Sequence, residues 1–150
     1  MLWLASNWRD ESAGPDEWPN EDVPRRYVAG FGRPGDGGVV AEADGEPAGA
    51  AWYRLLPASD AGYGYVADDV PELTIAVAAG HRGRGVAAGL IERLKAMAAG
   101  EGFRALSLSV ELDNPARRIY ERAGFAPAGR SGGSVTLLAA LEKSARGLPA

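Results

Sequence analysis

Apolar and polar positions along this chain change period several times, and each change predicts an element. Val39–Ala43 and Pro47–Leu56 read as two strands joined by Asp44-Gly45, a pair that favours a tight hairpin turn. Glu72–Val77 is apolar on both faces, as a covered central strand is. From Val86 to Ala99 the period lengthens. Val86, Leu90, Ile91, Leu94, Met97 and Ala98 recur at helical spacing, with Glu92, Arg93 and Lys95 opposite, and Gly100 stands as the stop. Ala105–Val110 returns to a strand pattern, so strand, helix and strand predict a parallel pair with a right-handed crossover. Asn114 is placed to cap a second helix with Pro115 at its first position and Gly124 at its end. Ser134–Leu141 reads as the last strand.

The remaining stretches are less regular. Met1–Trp8 fits a strand or the end of a helix, Arg9–Asp22 a loop, and Val23–Phe31 a short helix opened by Pro24. Gly32–Gly38 is a glycine-rich connection, and Pro57–Asp69 a loop within which Tyr63–Val66 is a candidate strand extension. Lys143–Ala150 reads as a loose tail. No linker or repeat divides the chain, so residues 1–150 are expected to form one domain.

Composition narrows the chemistry. A net charge of −4 does not favour non-specific nucleic-acid binding. The absence of cysteine excludes disulfides, thiol nucleophiles and thiolate metal sites, and a single histidine, His81, argues against a dedicated metal cluster. No apolar run reaches membrane-spanning length, and Met1–Leu4 is too short for a signal peptide, so a soluble cytoplasmic protein is expected.

The most informative stretch is Arg82-Gly83-Arg84-Gly85-Val86-Ala87, between the central strand and the long helix. Free N–H groups at a helix start, the helix dipole and glycines that let backbone approach closely make an anion site, so a phosphate-bearing cofactor is expected. Gly83 to Ala88 also fits a dinucleotide fingerprint, with Glu111 where a ribose-binding acid would stand. Three features argue against that reading. Ala78–Arg82 separates strand from loop, a β-meander precedes it, and too few strands follow for a doubly wound sheet.

Asn114-Pro115-Ala116-Arg117-Arg118-Ile119-Tyr120-Glu121-Arg122-Ala123-Gly124-Phe125 decides between the two. Taken with Arg82–Ala87, it resembles the second cofactor segment of the GNAT superfamily of acyl-CoA-dependent N-acetyltransferases, and Arg82–Ala87 resembles that family's pyrophosphate loop. The resemblance covers roughly Val39 to Leu141. It implies an α+β fold: a mixed, mostly antiparallel sheet with a splayed parallel central pair and flanking helices. It also implies acetyl-CoA as co-substrate without a metal, and direct attack of an amine on the thioester in a ternary complex. The amine acceptor is a small molecule or peptide, and members often pair as homodimers. A CoA-binding module without catalysis, acting as a sensor or interaction domain, is the alternative.

The site residues follow from the same resemblance. Backbone groups of Ile75 and Val77 are expected to bind the pantetheine arm. Arg82, Gly83, Arg84, Gly85, Val86 and Ala87 are expected to cradle the pyrophosphate. Asn114 reads as a helix cap, a cofactor contact or both. Tyr120, on one helix face with Ala116, Ile119 and Ala123, is either a core aromatic or the general acid. Glu72 is either a solvent-facing strand-edge acid or the base that takes the amine's proton, ahead of Asp68 and Asp69, while His81 reads as a loop residue. Trp3, Trp8 and Trp18, with the acidic run from Asp10 to Asp22, crowd the amino-terminal end that lines the acceptor site in the family. Too few residues precede Val23 for the family's usual first strand and helix, so a shortened start is expected there.

Overall fold

The computed structural model describes residues 26–142. The readings of Met1–Trp8, Arg9–Asp22 and the tail from Lys143 lie outside the described residues, with Trp3, Trp8, Trp18, the acidic run and Val23–Arg25. Within them the order is β1 (Gly37–Ala43), β2 (Glu46–Arg54), β3 (Glu72–Val77), α1 (Val86–Gly100), β4 (Ala105–Glu111), α2 (Arg117–Arg122), β5 (Ala126–Ser131) and β6 (Ser134–Ala140). The strands form one sheet in the order β1-β2-β3-β4-β6-β5. All neighbours are antiparallel except β3 and β4, which run parallel. This is the mixed α+β fold expected.

The β3–β4 pair is splayed. Its single register position joins Glu72 to Ser107, where the Ser107 N–H donates to the Pro71 carbonyl at 3.0 Å. Beyond it β3 stays paired only with β2, as far as Val77 opposite Gly49, and β4 only with β6. The strands diverge toward their carboxyl ends.

The sheet carries different layers on its two faces. On one face, α1 lies across β1 and β2 and buries Leu90, Ile91, Leu94 and Ala98 against Ala51, Tyr53, Leu106, Leu108 and Leu137. The opposite face of β2 presents Ala50 and Trp52 to Tyr27, and the Trp52 Nε1–H donates to the Tyr27 carbonyl at 2.8 Å. Residues 27–30, expected as helix, are a turn instead. Arg54 holds that turn. Its Nε and Nη2 donate to the two oxygens of Asp36 at 3.0 and 3.1 Å, and its Nη1 to the carbonyls of Arg26 and Ala29 at 2.9 and 2.6 Å.

Several boundaries differ from the expected ones. β1 starts two glycines early, because a side chain at Gly37 would overlap the Tyr53 ring. Tyr63–Val66 is not a strand: the segment turns, with the Tyr65 N–H bonded to the Gly62 carbonyl. α1 runs through Gly100 and stops at Gly102, whose φ of +93° lets its own N–H and that of Phe103 close onto Ala99 and Ala98. β5 was not expected at all. Every residue of it is exposed, and a register shift interrupts it, so it carries no apolar alternation to read.

Removing one partner of the Arg54–Asp36 pair leaves a buried charge without its counterion. Their side chains are 1% and 2% exposed. Asp36→Ala is expected to cost about 3 kcal/mol or more in urea unfolding. A loss under about 1 kcal/mol, the size of an exposed pair, would show that solvent reaches Arg54.

Candidate functional site

The divergence of β3 and β4 opens a cleft of about 840 Å³ on the α1 face, walled by the end of β3, the loop into α1 and α2. Strand geometry sets what the β3 wall offers. The Ala78 N–H donates to Ala48 on β2, so the alternating groups of Ile75 and Val77 point into the gap. The Val77 carbonyl accepts from Arg82 Nε at 3.3 Å, which folds Arg82 back along the loop.

The loop's shape comes from its glycines. Gly83 and Gly85 have φ of +75° and +78°, and no atom lies within 4 Å of where a Cβ would stand on either. Gly85 is the residue from which α1 departs, and no side chain caps the helix there. The N–H groups of its first turn, at Val86, Ala87 and Ala88, therefore stand at the cleft wall with the positive end of the helix dipole.

The opposite wall is α2. Asn114 Oδ1 accepts the Ala116 N–H at 2.9 Å, which is the expected cap, although regular helix starts only at Arg117. Gly124, with φ of +94°, closes the helix: its N–H donates to Glu121 and that of Phe125 to Tyr120. Tyr120 is half-buried and lines the cleft, edge-on to Phe125 with centroids 6.2 Å apart. Burial pushes its phenol up to about 12. Lys95 Nζ donates to the Ala123 carbonyl at 2.7 Å, tying α1 to the end of α2 and fixing the distance between the walls.

Ile75, Val77, Arg82, Gly83, Gly85, Val86, Ala87, Asn114 and Tyr120 thus converge on one cleft. Two expected residues do not. Arg84 is exposed and off the cleft wall. Glu72 is neither on that wall nor at a solvent-facing edge: it is 3% exposed, on the Tyr27 side of the sheet. Its Oε1 accepts from Tyr27 Oη at 3.0 Å and from the Gly64 N–H, and its Oε2 has no hydrogen-bond partner among the described residues. Burial pushes its carboxyl up to about 7 against those two hydrogen bonds, which act to lower it. Burial and then the Glu72 charge raise the Tyr27 phenol.

His81 lines the cleft, as do Glu92 and Arg122, which sequence reasoning did not single out. Glu92 sits on the polar side of the α1 pattern, and Arg122 lies inside the Asn114–Phe125 segment at a position given no role there, so no period marks either. Asp68 and Asp69 are held below the usual carboxylate range by hydrogen bonds from Tyr65 and Arg104, which makes them poor proton acceptors at neutral pH. Among the described residues, no group of three or more His, Asp or Glu is placed to hold a metal, and no helix is long and apolar enough to cross a membrane.

A parallel strand pair forking beside a glycine loop and a helix start defines an acyl-CoA-dependent transferase fold. The chain belongs to the acetyltransferase (GNAT) family, whose family model matches residues 3–125. Among solved structures it is similar to the GNAT domain of S. lividans PAT, at 28% identity over 71% of this chain, with a TM-score of 0.63. The chain spans 61% of that S. lividans chain. The yncA protein of Salmonella typhimurium, solved with its cofactor acetyl-CoA, shares the fold at 22% identity, covering 74% of this chain and 68% of that one, with a TM-score of 0.60. The PaiA N-acetyltransferase of Thermoplasma acidophilum, in complex with coenzyme A, does so at 14% identity, covering 70% of this chain and 60% of that one, with a TM-score of 0.59. No curated protein matches the chain by sequence.

Glu72 gives the fold a distinctive pH dependence. A carboxyl raised from 4.5 to about 7 holds its proton more tightly folded than unfolded. Its penalty is therefore absent below pH about 4.5, grows as pH rises, and is complete above about 7. Stability is expected to fall by about 2–3 kcal/mol between pH 5 and pH 8 in urea unfolding. Glu72→Gln should remove most of that slope; an unchanged slope would mean the carboxylate is solvated.

Proposed function

We propose that this protein is an N-acetyltransferase, a single domain over residues 1–150, that moves an acetyl group from acetyl-CoA to an amine. The observation that carries this is the fork: backbone groups of Ile75 and the Val77 N–H, turned away from β2, open onto the same cleft as the Gly83–Gly85 loop and the α1 start. The residues fit the molecule. Positive-φ glycines with open space before them suit a pyrophosphate, helix-start N–H groups suit its charge, and a bare strand edge suits an amide-bearing arm. The acetyl-CoA and coenzyme A held by the Salmonella and Thermoplasma proteins support the same reading. An amine acceptor of peptide or small-molecule type, a homodimer and a cytoplasmic location are part of this reading, and the family supports the first two.

Acetyl-CoA supplies the acyl group as a thioester. The neutral amine attacks the carbonyl carbon and the carbon–sulfur bond breaks; the nitrogen sheds one proton to water on becoming an amide, and the departing thiolate takes one from water to become the CoA thiol. The absence of cysteine fits direct attack by the amine, without a thiol acyl-enzyme in between. Gly83, Gly85, Val86 and Ala87 bind the pyrophosphate through N–H groups, with Arg82 adding positive charge. Asn114 orders the α2 entrance. Tyr120 is the donor to sulfur. A phenol held at about 12 stays protonated at neutral pH, but giving its proton outright to a thiolate of pKa about 8.5 would be uphill by about 5 kcal/mol. Tyr120 therefore acts chiefly by donating a hydrogen bond to the charge that develops on sulfur.

Calorimetry is expected to show binding of CoA and acetyl-CoA at about micromolar strength, roughly −8 kcal/mol, and none of NAD. The reverse result would sink the proposal. Gly85→Asp should abolish CoA binding without unfolding the chain, since aspartate tolerates positive φ at a cost of about 1 kcal/mol while its carboxylate opposes the pyrophosphate. Normal CoA affinity in that variant would remove the loop from the phosphate site.

Tyr120→Phe should keep CoA affinity and lower turnover by about 10²-fold, the low end for losing one hydrogen-bond donor to developing charge. The measurement is thiol release at saturating acetyl-CoA across a panel of polyamine, amino-acid, aminoglycoside and amino-terminal peptide acceptors. Unchanged turnover would leave Tyr120 as packing alone.

A further inference from the structure

We infer that Glu72 is a positioning residue: with Tyr27 it latches the loop 62–64 across the base of the β3–β4 fork, on the face opposite α1. The catalytic consequence of the latch rests on the acyl-transfer reading; the latch itself does not.

The parts form a closed circuit. The Tyr63 N–H donates to Tyr27 Oη at 2.8 Å, Tyr27 Oη donates to Glu72 Oε1 at 3.0 Å, and the Gly64 N–H donates to that same oxygen. The rings of Tyr27 and Tyr63 stack at 19° with centroids 6.4 Å apart. Neither glycine of the loop admits a side chain. A Cβ on Gly62 would overlap Glu72 Oε2, and one on Gly64 would lie 2.7 Å from the Leu108 carbonyl carbon and 2.8 Å from the Ser109 nitrogen. The loop therefore rests on the β4 backbone just past Ser107, where β4 parts from β3. No strand holds it there; the carboxylate does.

This geometry suits a clamp better than a base. A base must reach the amine directly or through one water, whereas Glu72 is 3% exposed and off the cleft wall, and its Oε1 is bound to the loop and to Tyr27 by two hydrogen bonds. The α1 face is taken by the nucleotide end of the cofactor, so the opposite face is the one left for the amine. There the loop, with the exposed ring of Tyr63, forms the surface the amine meets. Glu72 acts on the acceptor through that loop.

The test combines amide hydrogen exchange at Tyr63 and Gly64 with acetyl-CoA affinity and steady-state kinetics. Acceptors are spermidine and a peptide with a free amino-terminal alanine. Tyr27→Phe and Glu72→Ala are expected to lose about tenfold in protection at both amides, the scale of one hydrogen bond, and to keep acetyl-CoA affinity. Both should raise the acceptor KM more than they lower kcat. Glu72→Gln keeps Oε1 as an acceptor and should restore the protection and most of the KM that Glu72→Ala loses. Unchanged protection in Tyr27→Phe overturns the latch, even if Glu72→Ala fails to fold. A Glu72→Gln variant with full protection but a hundredfold lower kcat also overturns it and makes Glu72 the base. Should wild type bind no acetyl-CoA, the acyl-transfer reading falls, and the exchange measurement still decides the latch.

Discussion

Parallel strands that meet at one register position and then separate leave backbone donors and acceptors exposed in the middle of a sheet. Glu72 opposite Ser107 is that position, and the arrangement of the molecule follows from it. Buried peptide groups are expensive to leave unpaired, so a fork of this kind survives only where each strand is secured from its other side. Here β2 runs along the whole of β3, and β6 along the whole of β4. The core under α1 remains continuous, with Leu106, Leu108 and Leu137 on one limb and Tyr53 and Leu73 on the other. The core under the base of the fork is thus unbroken, while toward the carboxyl ends the strands part and leave the cleft open to a ligand.

The two faces of the sheet divide the work. Under α1, apolar burial fixes the helix, and the helix start then stands beside the fork with unspent N–H groups. On the other face, burial involves charges. Arg54 and Glu72 are cross-strand partners there, yet their settings differ. Arg54 is matched at four places, by Asp36 and two carbonyls, so its charge is compensated and its guanidinium pins the 26–36 turn. Among the described residues Glu72 has donors on one oxygen only, and burial raises its affinity for a proton. A fully satisfied ion is a rivet. A partly satisfied carboxyl holds its loop by fewer bonds and leaves the loop within reach of change.

The loop–helix half of the site was legible in the sequence because its chemistry is local. Gly83 and Gly85 take positive φ, Asn114 caps, and Tyr120 shares a helix face with Ala116, Ile119 and Ala123, all within short spans of chain. The strands facing a core were legible for a similar reason, since alternation reports burial. β5 was not, because an exposed edge strand needs no apolar pattern. Neither was the stop of α1, where Gly100 and Gly102 compete and only the closing hydrogen bonds choose between them.

Glu72 marks the boundary of what sequence decides. Its position at the head of β3 follows from the strand pattern, and the chemical types of loop, helix start and capped helix follow from residue order. Whether its carboxylate meets solvent, an amine or a tyrosine does not. Tyr27 lies 45 residues away, and no period or motif links the two. Packing of the 26–36 turn on β2 brings them together, and packing of Gly64 against β4 shuts out water. Local sequence determined the elements and the phosphate-type loop, because dihedral preference and periodic burial act over a few residues. The depth of the carboxyl, the width of the cleft and the divergence of β3 from β4 were decided by the tertiary structure, because each depends on contacts between segments that only the folded sheet makes neighbours.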